Sequence, residues 1–191
     1  MSKGKTKYVL LGLIAKKPQS GYDIKKFIDQ AVHYFWNESY GQIYPMLKAL
    51  VAEGLATVDT QEQEGKPDKN IYAITEKGVE VMKEWLLEPA EEAPARYEVL
   101  LKLYFGNHIG VNQNIEHLQQ FKDEQEKKLD IFKDIENHLI HVCANHPEKI
   151  YSLLTVRFGI NECLFRINWC ETSIAALKSQ SSTGVITNTG V

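Results

Sequence analysis

The stretch 39–54 constrains this chain more than any other, because it reads as one helix with two unlike ends. Leu47, Leu50 and Val51 recur at spacings of three and four, which makes a buried stripe along the rear half. Gly54 stands where a helix stops, since glycine enters the left-handed conformation without strain. Ser39 is suited to cap the front. Tyr40, Gln42 and Tyr44 follow, all able to hydrogen-bond and none charged. A core-bound rear and a front of exposed amide and phenol groups suit major-groove recognition, where the N-terminal residues of a helix meet base edges. The plainer alternative is an amphipathic helix with ordinary solvent-facing polar residues.

The flanking chain favours the first reading. Residues 6–17 are almost wholly apolar (Tyr8, Val9, Leu10, Leu11, Leu13, Ile14), which predicts a buried central helix ended by Pro18. A second helix spans 20–32, capped by Ser20 with Asp23 three residues on. Its apolar face is Tyr22, Ile24, Phe27, Ile28 and Ala31, and its N-terminal amides would suit a phosphate clamp. In the turn that follows, Phe35 and Trp36 are expected to plug the core. After Gly54 the period falls to two. Residues 55–63 and 71–75 read as strands around a Gly/Pro turn, which makes a β-hairpin. Three helices and then a hairpin is the order of a winged helix-turn-helix. The wing carries Lys66, Lys69 and Asn70, a basic tip that suits backbone or minor-groove contact, or else a solvated turn. Thr75 caps a fourth helix with Val79, Met82, Trp85 and Leu86 inward.

Two prolines and acidic residues mark 89–95 as a linker after a DNA-binding domain at 1–88. Behind it the chain is helical. A short apolar segment at 96–105 precedes two long helices, 112–144 and 147 to about 178. The first has the stripe Leu118, Phe121, Leu129, Phe132, Ile135, Leu139 and Val142, with Gln125 in line. The second has Ile150, Leu153, Leu154, Ile160, Leu164, Ile167, Ile174 and Leu177 inward. The fold class expected is mainly α with a small hairpin wing and a rear antiparallel helical hairpin. Alone, that hairpin leaves apolar surface bare, and a second copy of the chain is the simplest cover. So 96–179 reads as a dimerisation domain, and the Ser/Thr/Gly-rich 180–191 as a disordered tail.

Charge and cysteine content narrow the class. Residues 1–78 hold 11 Lys against 9 Asp and Glu, a net of +2, within a whole-chain net charge of -3. A mildly basic front suits a nucleic-acid surface confined to it. The 3 Cys are odd in number and lack C-x-x-C spacing, which suggests reduced thiols. No run approaches a membrane span and no leader-type apolar segment follows the start, so a cytoplasmic location is expected.

Several of these residues resemble the PadR family of bacterial transcriptional regulators. They are Ser20-Gly-Tyr-Asp-Ile24, Phe35-Trp36, Gln42-Ile-Tyr-Pro45, Glu53-Gly-Leu55, Tyr72-x-x-Thr75-x-x-Gly78 and Trp85-Leu86. Gly65-Lys-Pro-Asp68 is similar to the AphA-like branch. The resemblance implies a homodimer on an inverted repeat of double-stranded DNA. It also implies repression relieved by a small aromatic molecule, or activation if the chain follows the AphA-like branch. The DNA-contacting residues expected are Tyr22, Ser39, Tyr40, Gln42, Tyr44, Lys48, Lys66, Lys69 and Asn70. Gln42 leads as base reader, because an amide pairs an adenine edge in two places.

Other chemistries fit less well. His138, His141, Cys143 and His146 are metal-capable, but on a helix Cys143 points away from the histidines, so no metal site is expected. No phosphate loop or nucleophile elbow appears, and neither an enzyme nor a cofactor is expected. Trp36, Tyr97, Arg157 and Trp169 are candidate contacts for an aromatic or acidic effector, although Arg157 also suits a salt bridge to one of the many glutamates. A winged helix that binds protein is the alternative from another class.

Overall fold

A computed structural model describes residues 4–62, 68–91, 96–141 and 148–183. The chain divides into two compact units, Met1–Ala93 and Pro94–Val191. The first contains α1 (Thr6–Lys16), β1 (Gln19–Ser20), α2 (Gly21–Phe27), α3 (Tyr40–Ala52), β2 (Ala56–Gln61), β3 (Lys69–Ile74) and α4 (Glu76–Leu87). One π-helical turn, Ile28–Val32, extends α2. The strands form an antiparallel sheet in the order β1-β3-β2, with Tyr72 opposite both Gln19 and Val58. The mainly helical winged fold is therefore present. The two-residue β1 is an addition, too short to show alternation in the sequence.

The core of this unit gathers Leu10, Leu11 and Ile14 from α1, Ile24 and Ile28 from the second helix, and Ile43, Leu47 and Leu50 from α3. Leu55 and Tyr72 close it from the sheet side. Three sequence expectations are corrected here. Ile24 and Ile28, one turn apart, fill the inward stripe of α2, while Tyr22 and Phe27 are exposed. Phe35 is also exposed, because the turn directs the neighbouring Trp36 toward Glu38 instead. Leu86 is exposed on α4, which docks through a stack of Trp85 on Tyr8, 4.4 Å apart and 8° from parallel.

Caps fix where the elements change. Gly54 takes φ 71°, which is why glycine ends α3. The Thr75 hydroxyl accepts from the Gly78 N–H at 3.0 Å and donates to the Gly54 carbonyl at 2.8 Å. One side chain thus starts α4 and ties it to the end of α3.

The second unit holds α5 (Glu98–Tyr104), a 3-10 turn (Gly106–His108), α6 (Val111–His141) and α7 (Lys149–Thr183). Asn114 pins the turn by donating to the Gly106 carbonyl at 2.8 Å. The long helices pack along one seam. On α7 it runs through Leu153, Val156, Ile160, Cys163, Ile167, Cys170, Ile174 and Leu177, spaced three and four apart. On α6 the buried positions are Asn114 in the first turn and, along the seam, Leu118, Gln125 and Leu129. Gly159 lies under the Phe132 ring, which leaves no room for a Cβ. The expected inward positions Ile150, Leu154 and Leu164 are exposed. The reason is that α7 is apolar around most of its circumference, and one partner helix covers only one face. Residues 180–183, expected to be disordered, are the last turn of α7. Val142 and residues 184–191 lie outside the described residues.

Candidate nucleic-acid interface

The first turns of α2 and α3 build one surface. Ser20 begins α2: its hydroxyl accepts from the Asp23 N–H at 3.2 Å and donates to the Asp23 carboxylate at 2.7 Å. The same carboxylate meets the Lys69 ammonium at 2.9 Å, which ties the root of the wing to the start of α2. The Ser20 hydroxyl, and after it Lys69, hold the Asp23 carboxyl below its ordinary range. Tyr22, 60% exposed, stands outward beside this cluster.

Gly21 explains how α3 seats against α2. A Cβ there would lie 2.6 Å from the Tyr44 ring, so the glycine lets that ring close on the helix start. Burial, and after it the neighbouring Tyr44, pushes the Tyr72 phenol upward. Tyr40 stacks on Tyr44 with centroids 6.0 Å apart. Lys25, paired with Asp29, places its ammonium 5.9 Å from the Tyr40 ring centre. Two phenols are thus held in fixed positions, each with an exposed edge.

The front of α3 is organised by its cap. The Gln42 side-chain oxygen accepts from the Ser39 N–H and from the Ser39 hydroxyl, each at 2.9 Å. Tyr40, Gly41, Gln42, Tyr44, Pro45 and Lys48 are exposed, while Ile43, Leu47 and Leu50 face the core. Gly41 and Pro45 disfavour a helix by about 1 and about 3 kcal/mol relative to alanine. Just before the cap, Glu38 is buried and accepts at one oxygen from Thr6 (2.8 Å) and from the Trp36 indole (2.7 Å). This anchors the start of α3 to α1.

The sequence-predicted DNA contacts therefore fall into groups. Tyr22, Ser39, Tyr40, Gln42, Tyr44 and Lys48 are exposed on the first turns of α2 and along α3. Lys69 joins them through Asp23. Asn70 sits in the wing, where its side-chain oxygen accepts from Thr60 at 2.8 Å. Lys66 lies outside the described residues. Sequence reasoning missed Gly21, Lys25 and Glu38 as supports. The signals were present: a glycine directly after a Ser cap, and a Lys–Asp pair at i, i+4.

The effector candidates separate. Tyr97 and Trp169 line a cavity of about 180 Å³ in the second unit, with Leu100, Phe121, Phe165 and Arg166. Arg166 is its arginine. The guanidinium lies 4.9 Å from the Tyr97 ring centre and bonds Glu162 at 2.7 Å and Gln125 at 3.3 Å. Arg157 does not line the cavity and pairs with Glu136 at 2.6 Å, the salt bridge foreseen as its other role. Trp36 belongs to the first unit and is engaged by Glu38. His138 and His141 end α6, and Cys143 and His146 lie outside the described residues. Among the described residues no three metal-capable side chains converge, and no helix is long and apolar enough to cross a membrane.

Known proteins share both halves of this chain. The model of the transcriptional regulator PadR-like family matches residues 10–84, and that of the virulence activator alpha C-terminal family matches residues 95–178. The negative transcriptional regulator PadR of Bacillus subtilis (strain 168) is 35% identical over 181 residues, covering 90% of this chain and 96% of that protein. The crystal structure of Bacillus subtilis PadR in complex with operator DNA superposes with a TM-score of 0.81 at 26% identity, covering 90% and 98% of the two chains. The same regulator in complex with p-coumaric acid gives a TM-score of 0.74 at 23% identity over 91% and 96%, a likeness of fold. On these matches and the winged helix described above, the chain belongs to the PadR-like family of transcriptional regulators.

Proposed function

We propose that this regulator is a homodimeric repressor that binds an inverted-repeat operator through α3 and its wing and is released by a small aromatic acid. The observation that carries the DNA reading is the uncharged, hydrogen-bonding front of α3, held by the Ser39–Gln42 cap and the seat of Tyr44 on Gly21. It is supported by the relative of like fold whose structure contains operator DNA. Tyr22 and the amides of α2 suit phosphate, and Tyr40, Gln42 and Tyr44 suit base edges.

The dimer reading rests on α7. Tyr151, Leu154, Phe158 and Phe165 recur at heptad-like spacing on a face that α6 does not cover, and Phe158 is 68% exposed. Four exposed large apolar residues along one helix suit a second copy. The effector reading rests on the 180 Å³ cavity, whose aromatic walls and Arg166 suit a flat anionic molecule.

Fluorescence anisotropy of labelled duplex DNA across a salt series, with sedimentation of the free protein, tests this reading. Dimer mass and an affinity that falls with log salt at a slope of about -0.9 per neutralised phosphate are expected. A monomer, or binding indifferent to salt, would contradict it.

A further inference from the structure

The front of α3 contains two residues that its fold does not require. Gly41 is exposed, and among the described residues only Gly54 has a positive φ. A Cβ at Gly41 would meet nothing nearer than the Ser39 hydroxyl at 3.7 Å, an ordinary contact. Gly21 differs, because there the Tyr44 ring excludes a side chain. Neither backbone conformation nor internal packing thus calls for glycine at 41.

Pro45 lies four residues further on, exposed and inside the helix. It has no N–H to donate to the Gly41 carbonyl, the bond that the helix would otherwise make there. Proline is tolerated in the first turn, where N–H groups are unpaired anyway. Pro45 lies beyond that turn, since Ile43 already donates to the Ser39 carbonyl at 3.0 Å. Residues four apart share a helix face. The missing side chain and the missing donor therefore coincide, flanked by Tyr44 and Lys48 on the exposed side of α3.

We infer that Gly41 and Pro45 form a specificity notch: the absent side chain of Gly41 admits a base-pair edge, and the Gly41 carbonyl, left without its helix donor, accepts from an exocyclic amino group that reaches it beside the Pro45 ring. The inference rests on α3 being the major-groove helix. In that groove only adenine N6 and cytosine N4 present donors, whereas guanine O6 and thymine O4 present acceptors. A main-chain carbonyl only accepts. It therefore favours A or C at one position and repels G or T. Gln42 differs, because its amide both donates and accepts and so singles out adenine without admitting cytosine.

Gly41→Ala and Pro45→Ala test this, alongside the wild-type chain, by thermal unfolding and by binding to a selected site and all its single base-pair variants. Both variants should unfold at or above the wild-type temperature, since alanine is the better helix former. Gly41→Ala should bind the selected site about 10-fold more weakly, with random duplex unaffected, as a methyl group blocks close approach. Pro45→Ala restores the N–H that occupies the carbonyl. It should lose a roughly 5-fold preference for A or C at one position and keep the rest. On the wild-type protein, replacing that base by an analogue lacking the amino group should cost the same factor, whatever the variants' stability. A selective wild-type chain matched at every position by both variants, or indifferent to the analogue, would overturn the notch alone. A wild-type chain that selects no sequence would overturn the notch and the major-groove reading together.

Discussion

The side-chain oxygen of Gln42 accepts from both the backbone N–H and the hydroxyl of Ser39, each at 2.9 Å. Gln42, the residue proposed to read adenine, is therefore also the residue that closes the helix cap. A bidentate adenine contact needs this oxygen, so base reading competes with capping.

That competition separates two variants. Gln42→Ala loses both roles and should lower stability as well as site preference. Gln42→Glu keeps a cap acceptor in the position where glutamate completes a capping box, and its charge suits the helix start. It should unfold within a few degrees of wild type while losing about 1–3 kcal/mol of discrimination at one base pair. Unfolding curves and competition binding read the two effects apart. Unchanged preference in Gln42→Glu would remove Gln42 from the reading set.

Asp23 gives a pH dependence. Its carboxyl is held below the usual range by the Ser20 hydroxyl and then by Lys69. A depressed folded value means that the stabilisation is complete above the ordinary aspartate value, about 3.9, and is lost as pH falls through the lower folded value. Asp23→Asn should thus be less stable than wild type in urea at pH 7, with the gap closing below about pH 4. It also frees the Lys69 ammonium, so the slope of log K against log salt should steepen by about 0.9. A gap that persists at low pH would contradict the assignment.

Much of this region was legible in the sequence because its signals are local. Ser20, Ser39, Gly54 and Thr75 mark element ends within one turn of where they act, and the change of period after Gly54 announces the wing. What escaped is non-local. Pairing of Gln19 with Tyr72 joins residues far apart in the chain. The outward turn of Phe35 depends on Glu38 having taken Trp36. On α7 the apolar residues surround the helix, so periodicity could not separate the seam from the bare face. For the same reason Arg157 drew notice although Arg166 lines the cavity, since both interrupt one apolar run and only packing distinguishes them.

Gly21 offers a test of how α3 is seated. Gly21→Ala brings a methyl group to 2.6 Å from the Tyr44 ring, which must swing away. The fold should survive, because alanine is favoured in a helix and the ring edge is exposed. DNA affinity should fall about 10-fold as Tyr44 and its stacked neighbour Tyr40 leave their positions, which a titration of the selected site measures. An undiminished affinity would show that Tyr44 needs no such seat.

Glu38 is 3% exposed and serves two donors at one oxygen. Glu38→Ala would leave the Thr6 hydroxyl and the Trp36 indole unpaired, at a cost of about 1–3 kcal/mol for each group that stays buried. Glu38→Gln retains an acceptor and should cost less. Urea unfolding of the two variants gives the order, and equal losses would mean that bulk rather than hydrogen bonding holds the start of α3.

Selection of the purified protein against a random duplex library at near-physiological salt tests the central claim most directly. Enrichment of an inverted repeat is predicted, since in the proposed dimer two copies of α3 related by a twofold axis would read two equivalent half-sites. Recovery of no preferred sequence would contradict the claim that α3 of this regulator reads DNA.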